Sequence, residues 1–268
     1  MAYVMKKNLS ARGNYGGQRD TKDIKYILIH YTANDGNSDE SNANYFHNHI
    51  VKASAHYFVD DDSITQSVPD DYVAYSVGGN LYTDHEKTGG GKLYGIATNH
   101  NTLNIELCDM RRDGVIRASE ATIENAIDLI RRKMRQYEID IGHVIRHFDV
   151  NGKHCPAYLM DAAKWNGFKA RIAGYEVGRT YRITEASYLR MTPGGQKAAY
   201  GDLPKSMLKK CRNAKGYAMI RHGKTFVLTD FETVGSGLWG RTQSGYWVFL
   251  KERLKISLLG CVYGKQHF

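Results

Sequence analysis

The chain of 268 residues is short of several things, and each shortage excludes a class of protein. No stretch approaches the roughly 18 unbroken apolar residues that a membrane-spanning helix needs. Only 4 prolines in a chain that is 42% hydrophobic argue against a disordered or low-complexity segment and for a folded protein. No internal repeat is present. Two lysines, Lys6 and Lys7, stand near the N-terminus without an apolar core after them, so no secretory signal is expected and synthesis in a cytoplasm is. There are 4 cysteines, Cys108, Cys155, Cys211 and Cys261. None belongs to a CxxC pair, and without an export signal an even number is weak evidence for disulfides. An HExxH helix is also missing, as are zinc-finger, helix-turn-helix and RRM-like motifs, so no nucleic-acid partner is expected.

What is present divides the chain. The formal charge of +9 is not spread evenly. Residues 1–174 hold 21 Lys and Arg against 22 Asp and Glu, whereas residues 175–268 hold 16 against 6. The basic final third should be attracted to polyanions. Length permits two domains of ordinary size, each with its own core.

Strand and helix patterns alternate over the first part, after a polar, glycine-containing lead-in that reads as irregular. Residues 25–30 form a short apolar run ending at His30, expected to be a buried strand. Ser38 is placed to cap a helix with Ala43, Phe46 and Ile50 at helical spacing. Residues 54–60 and 63–68 read as two strands joined by an acidic turn. Residues 78–95 form a long glycine-rich loop of the kind that is often functional or mobile. Residues 103–108 read as a strand with Asn104, Glu106 and Cys108 on one face. Ser119 starts the strongest helical pattern, with Ile123, Ala126, Ile127, Ile130, Met134 and Tyr137 on one stripe. Residues 144–147 form a last strand ending at His147, and a helix carrying Leu159, Ala163 and Phe168 closes the unit near residue 174. This predicts an α/β domain with a mixed central sheet flanked by helices. Short β-prone segments at 180–183, 217–220, 225–228 and 246–250, separated by glycine turns, predict a small β-barrel to follow.

His30, His147 and Cys155 are candidate metal ligands, because two imidazoles and a thiolate leave one tetrahedral position for water, as in catalytic zinc sites. No redox chemistry is implied, so Zn2+ is the natural ion. On spacing alone the three also read as ordinary strand-end histidines and a buried cysteine, and His47, His49, His56, His143 and His154 compete. Glu106, among apolar residues on an interior strand, has the setting of a general base with a raised pKa, or of a salt bridge at the sheet surface.

Four ordered segments resolve these alternatives: Ile-Leu-Ile-His30-Tyr-Thr-Ala-Asn, Ser-Ala-His56-Tyr-Phe-Val-Asp, Asn104-Ile-Glu106-Leu-Cys and Arg-His147-Phe-Asp-Val-Asn-Gly-Lys153-His-Cys155-Pro. Across roughly residues 20–172 the chain resembles the type 2 N-acetylmuramoyl-L-alanine amidases, which share their fold with the peptidoglycan recognition proteins. The resemblance implies zinc held by His30, His147 and Cys155, with Glu106 assisting the attacking water and Lys153 steadying the oxyanion. It implies peptidoglycan as substrate, and release from a cytoplasm onto the cell wall in the manner of a phage endolysin. A muropeptide-binding module that does not cut, and a zinc peptidase acting within the stem peptide, are the alternatives. Two departures stand out. Where some relatives have tyrosine this chain has His56 followed by Tyr57, of which only one can face the site, and His56 is taken as an auxiliary catalytic group. Where many relatives carry Trp-His, this chain reads Ala74-Tyr75-Ser76-Val77-Gly78, so one polar contact to substrate is expected to be missing or supplied by the loop of residues 78–95.

Residues 176–260 resemble, more faintly, a bacterial SH3-like domain, through Tyr188-Leu-Arg-Met-Thr-Pro-Gly-Gly195 and the run from Leu238 to Leu250. That resemblance implies a domain over residues 175–268 that holds the enzyme on an anionic cell-wall polymer, with Trp239 and Trp247 in its core or groove.

Overall fold

The computed structural model describes residues 3–250. These divide into two compact units, one built on residues up to 139 together with 143–165, the other on 140–142 and 166 onward. Among the described residues no helix is long and apolar enough to cross a membrane.

The first unit contains β1 (Val4–Lys7), β2 (Tyr15–Gln18), β3 (Tyr26–Tyr31), α1 (Asp39–Asn48), β4 (Tyr57–Val59), β5 (Ser63–Gln66), β6 (Tyr72–Ala74) and the single turn α2 (His85–Thr88). It continues with β7 (Thr102–Leu107), β8 (Met110–Arg112), β9 (Val115–Arg117), α3 (Glu120–Gln136), β10 (Val144–Arg146) and α4 (His147–Asn151), and α5 (Ala162–Ile172) follows. A six-stranded sheet in the order β1-β5-β4-β7-β3-β10 forms the centre. All its neighbours run parallel except β4 and β5, which are antiparallel. The mixed α/β architecture expected from the sequence is therefore present.

The central strands β3 and β7 are buried on both faces. Ile27, Leu28 and Ile29 of β3 run without polar alternation, whereas Leu103, Ile105 and Leu107 of β7 alternate with Thr102, Asn104 and Glu106, which share the strand's other face. On α3 the expected stripe of Ile123, Ala126, Ile127, Ile130 and Met134 is buried, each larger side chain contributing about 2 kcal/mol of apolar burial. Ser119 accepts the Thr122 N–H and caps this helix, and Ser38 does the same for α1 through Ser41. Phe46 of α1 stacks on Phe58 of β4 with ring centroids 5.6 Å apart.

Three local expectations change. The lead-in taken as irregular supplies β1, the sheet's edge strand, whose exposed Val4-Met-Lys-Lys7 sequence has no apolar alternation to reveal it. Helix α1 stops at Asn48 because His49 turns extended, so Ile50 is 69% exposed and leaves the helical stripe. Tyr137 likewise leaves its stripe: it caps α3, and its hydroxyl donates to the Asp70 carboxylate.

The second unit is β-rich. Strands β11 (Thr180–Arg182), β15 (Thr225–Val234), β16 (Gly237–Thr242) and β17 (Trp247–Leu250) form one antiparallel sheet. Strands β12 (Ser187–Tyr188), β14 (Tyr217–Ile220) and β13 (Cys211–Ala214) form a second, and a single turn, α6 (Lys205–Leu208), precedes β13. Leu189, Ile220, Phe226, Leu228, Leu238, Val248 and Leu250 build its core, and Trp239 and Trp247 are buried with them. Gly240 lets Leu228 and Leu250 close over the strand: a Cβ there would come within 2.9 Å of the Leu250 methyl and 3.0 Å of those of Leu228, and these would have to shift. Cys261 and residues 251–268 lie outside the described residues.

Candidate metal centre and active site

His30 lies one residue from the end of β3, flanked in the sheet by β7 and β10. Parallel register sets Glu106 of β7 beside it, and Phe58 of β4 beside Glu106. One row across three strands therefore presents Phe58, Glu106 and His30 together. His147 does not end β10 as expected. The strand stops at Arg146, and His147 is the first residue of α4, a turn fixed by Asp149 accepting the Arg146 backbone N–H at 2.8 Å.

The segment from His147 to Cys155 is closed on itself. The Phe148 N–H donates to the Cys155 carbonyl at 3.1 Å. The Arg146 guanidinium pairs with Asp149 at 2.8 Å and donates to the carbonyl of Leu159 at 2.9 Å. These bonds return the chain so that Cys155 comes back beneath His147.

The glycine-rich loop expected to be functional or mobile is fastened onto this segment. N–H groups of Tyr82, Gly91 and Leu93 donate to the carbonyls of Asn151, Phe148 and Asp149 at 2.8, 3.0 and 2.9 Å. A Cβ at Gly90 would lie 2.7 Å from the Phe148 ring and 2.8 Å from the Gly152 backbone, so the glycine permits this close approach. Gly152 itself ends α4 at φ 89°, the left-handed conformation that glycine adopts without strain. The loop thus acts as a brace for the turn that carries His147.

The result is a buried cluster. His30, His147 and Cys155 are 2%, 4% and 2% exposed, and their ligand atoms lie within 4.8 Å of one another. Among the described residues they are the group of His, Cys, Asp and Glu side chains placed to hold a metal ion. Cys155 Sγ is 3.8 Å from His30 Nδ1, near the spacing of about 3.6 Å that sulfur and nitrogen ligands take on tetrahedral zinc. Both ring nitrogens of His147 and Nε2 of His30 are buried without a hydrogen-bond partner. Unpaired buried polar atoms are rare in folded proteins, and a cation in the cluster would take one nitrogen of His147, leaving the other ring nitrogens to outer partners.

The electrostatics point the same way. Burial holds both histidines below their usual pKa, His147 at about 4, with the Lys153 charge acting in the same direction. They are therefore neutral at physiological pH, the state in which an imidazole can bind a metal. Burial pushes the Cys155 thiol up to about 12, so only a nearby positive charge can make it a thiolate. Glu106 has 21% of its side-chain surface open, and its Oε1 stands 4.0 Å from His30 Nδ1. Burial raises its carboxyl to about 8, and the charge of Lys153 pulls it part of the way back.

His30, Glu106, His147 and Lys153 line one cavity of about 720 Å³. Its remaining wall mixes neutral polar residues such as Asn34, Asn42, Ser54, Ser76 and Asn99 with the aromatic rings of Tyr45, Phe46, Phe58 and Tyr75, and Lys52 is a further cation. Asn34 Oδ1 and Ser76 Oγ are buried and unpaired in that wall. The sequence named His30, His147, Cys155, Glu106 and Lys153, and the fold gathers them at one place; it did not single out Asn34, Asn42, Ser54 or Asn99, whose neutral polar side chains carry no signal of their own.

His56 is a correction. It is fully buried and does not line the cavity. Its Nδ1 accepts the Asn104 backbone N–H at 3.0 Å and its Nε2 lies 3.1 Å from the Tyr72 carbonyl, so it is enclosed beside Asn104 and cannot meet substrate. Tyr57, on the opposite face of the strand from Phe58, points away from the site, with its hydroxyl donating to Asp70 at 2.6 Å. The residue of this strand that does reach the cavity is Phe58. Of the competing histidines, His47, His49 and His154 are exposed.

Comparison with known proteins agrees with this geometry. Residues 20–158, just over half of the chain, match the family model described as N-acetylmuramoyl-L-alanine amidase. The chain is 29% identical over 210 residues to a probable N-acetylmuramoyl-L-alanine amidase of Bacillus licheniformis, covering 75% of this chain and 56% of that protein. It is 29% identical over 176 residues to the N-acetylmuramoyl-L-alanine amidase BlyA of Bacillus subtilis strain 168, covering 63% and 46%. The chain thus spans about half the length of the curated relatives it matches. The solution structure of the PlyG catalytic domain, 24% identical with a TM-score of 0.50, covers 64% of this chain and 94% of that one, a likeness of fold alone. With the family match spanning more than half of its length and its α/β fold in agreement, the chain belongs to the N-acetylmuramoyl-L-alanine amidase family, Amidase_2.

Proposed function

We propose that this protein is a zinc-dependent N-acetylmuramoyl-L-alanine amidase that hydrolyses the amide joining the lactyl group of N-acetylmuramic acid to L-alanine in bacterial peptidoglycan. The observation that carries this reading is the convergence of His30, His147 and Cys155, with both histidines and the adjacent Glu106 lining an open cavity. Two neutral imidazoles and one thiol suit zinc, and three protein ligands leave a position open to substrate and water. When bound there, zinc supplies Lewis acidity to the scissile carbonyl and eases deprotonation of the attacking water. Glu106 takes that proton and delivers it to the departing alanine nitrogen, a shuttle suited to a carboxyl whose pKa is raised toward neutrality. Lys153, at the cavity wall, meets the negative charge that develops on the carbonyl oxygen. Asn34 and Ser76 offer their unpaired oxygens to the polar groups of the muropeptide.

Residues 1–174 form the catalytic domain in this reading, and residues 175–268 an SH3-like domain that holds it on the wall. The excess of 10 positive charges in the second segment supports an anionic cell-wall polymer as its ligand. Synthesis in a host cytoplasm followed by release onto the wall, as for an endolysin, completes the reading.

Incubating purified peptidoglycan with the protein tests it directly. New amino-terminal alanine without new sugar reducing ends is expected, lowered at least about 100-fold by a zinc chelator and restored by zinc. Amino termini of other residues would instead assign a stem-peptide cleavage, and firm binding without any product a recognition module. Pelleting of the protein with cell walls should weaken as salt rises. Salt-independent pelleting would remove the polyanion from the account.

A further inference from the structure

We infer that Asn104 is a positioning residue for the metal centre: its side-chain carbonyl takes the Nε2 proton of His30 and so turns the His30 Nδ1 lone pair toward the ion. The inference rests on the zinc reading above and extends it to a residue that touches neither substrate nor metal.

Asn104 is fully buried on β7, two residues before Glu106 and on the same face of the strand. Parallel register pairs Asn104 with Leu28 and Glu106 with His30, so Asn104 is the diagonal neighbour of His30 on the same face of the sheet, within reach of its ring. Two buried atoms in this neighbourhood lack any partner, Asn104 Oδ1 and His30 Nε2. One is an acceptor and the other can be a donor, so closure of one hydrogen bond satisfies both.

The orientation of the carboxamide follows from His56. Nδ1 of His56 accepts the backbone N–H of Asn104 at 3.0 Å, so it carries no proton. The proton is on Nε2, which donates to the Tyr72 carbonyl at 3.1 Å. Asn104 Nδ2 lies 3.4 Å from the same unprotonated Nδ1. An acceptor at that place requires the amide group, not the carbonyl, to face it, which leaves Oδ1 free for His30. His56 is held neutral in turn: burial, with the Arg19 guanidinium 2.9 Å from its Nε2, keeps its pKa down at about 3. Arg19 is itself anchored by donating to the carbonyls of Asp70, Asn99, His100 and Thr102 at 2.7 to 3.2 Å.

His30 presents the matching half. Its Nδ1 faces the cluster, 3.8 Å from Cys155 Sγ and 4.0 Å from Glu106 Oε1. A neutral imidazole that ligates through one nitrogen keeps its proton on the other, and an outer carbonyl on that proton fixes both tautomer and ring angle. Arg19, His56 and Asn104 thus form a fully buried support that ends on a metal ligand.

The test compares zinc binding by the full chain and two variants, in competition with a chromophoric chelator. Asn104→Leu keeps the volume and removes the acceptor, and Asn104→Asp keeps the acceptor. The leucine variant is expected to bind zinc about 10- to 100-fold more weakly. The aspartate variant should bind within a few-fold of the wild type, a rescue that a mere packing role would not give. A folded leucine variant with wild-type zinc affinity would overturn the inference while leaving the amidase reading intact. Wild-type protein that binds no zinc would overturn both. Should the leucine variant fail to fold, long-range proton–nitrogen correlation spectra of the zinc-loaded wild type decide: His30 protonated at Nε2 is expected, and His30 protonated at Nδ1 excludes the proposed bond.

Discussion

Cys155→Ser should give a folded protein that no longer retains zinc and degrades peptidoglycan at least about 10³-fold more slowly, a loss of about 4 kcal/mol of transition-state stabilisation. The substitution is nearly isosteric at a site 2% exposed, so packing changes little. What changes is the ligand. A thiolate is a soft, charged donor, whereas a serine hydroxyl stays protonated and binds zinc poorly. The same reasoning predicts a pH effect in the wild type. With its thiol pushed up to about 12 by burial, Cys155 must lose a proton as the metal enters, so zinc affinity should fall as pH falls. Metal content by mass spectrometry, measured beside the rate of alanine release, checks both statements. A serine variant that keeps one zinc per chain and the wild-type rate would remove Cys155 from the site.

Glu106→Gln should keep zinc and keep its affinity for cell walls, yet lose about 10²- to 10⁴-fold in turnover. The amide retains the shape and polarity of the side chain but cannot take a proton from water. A wild-type rate that rises with pH along a limb absent from the glutamine variant would identify that limb with Glu106. The limb should lie below pH 8, because a cation in the cluster favours the carboxylate.

Stability carries the opposite sign. In the metal-free protein the folded carboxyl titrates near 8, above its unfolded value of about 4.5, so the folded state binds the proton more tightly. Between those two pH values the wild type loses stability as pH rises, and the glutamine variant does not. The metal-free variant should therefore melt higher than the metal-free wild type, by a margin that grows from pH 5 to pH 8. A variant that melts lower at pH 8 would mean that Glu106 is a paired structural carboxylate. Turnover unchanged within about twofold would assign the proton transfers elsewhere.

Much of the fold was legible because its signals are local. The apolar run before His30, the Ser119 cap and the stripe from Ile123 to Met134 each follow from neighbouring residues, and each is present where expected. The errors have a common cause. Strand β1 is exposed and polar, so it carries no pattern and exists only because β5 offers it an edge. His147 reads as the end of a strand by propensity, yet Asp149 takes the Arg146 N–H and starts a helical turn there. The choice between His56 and Tyr57 rested on strand alternation alone. Alternation places side chains on faces but does not say which position along a face is open: Phe58 reaches the cavity, and His56 is sealed behind it.

By itself the sequence determined the α/β pattern, the change to a basic, β-rich final third, and the identity of the groups able to bind a metal or carry a proton. Those are properties of composition and of neighbours along the chain. Only the tertiary structure decided that residues 125 positions apart, His30 and Cys155, come within 3.8 Å, that Glu106 stands in register beside them, and that the glycine-rich loop braces the turn of His147. It also decided the pKa values. A carboxyl near 8 and histidines held neutral are consequences of burial among particular partners, and burial is settled when distant segments pack, not when their residues are chosen.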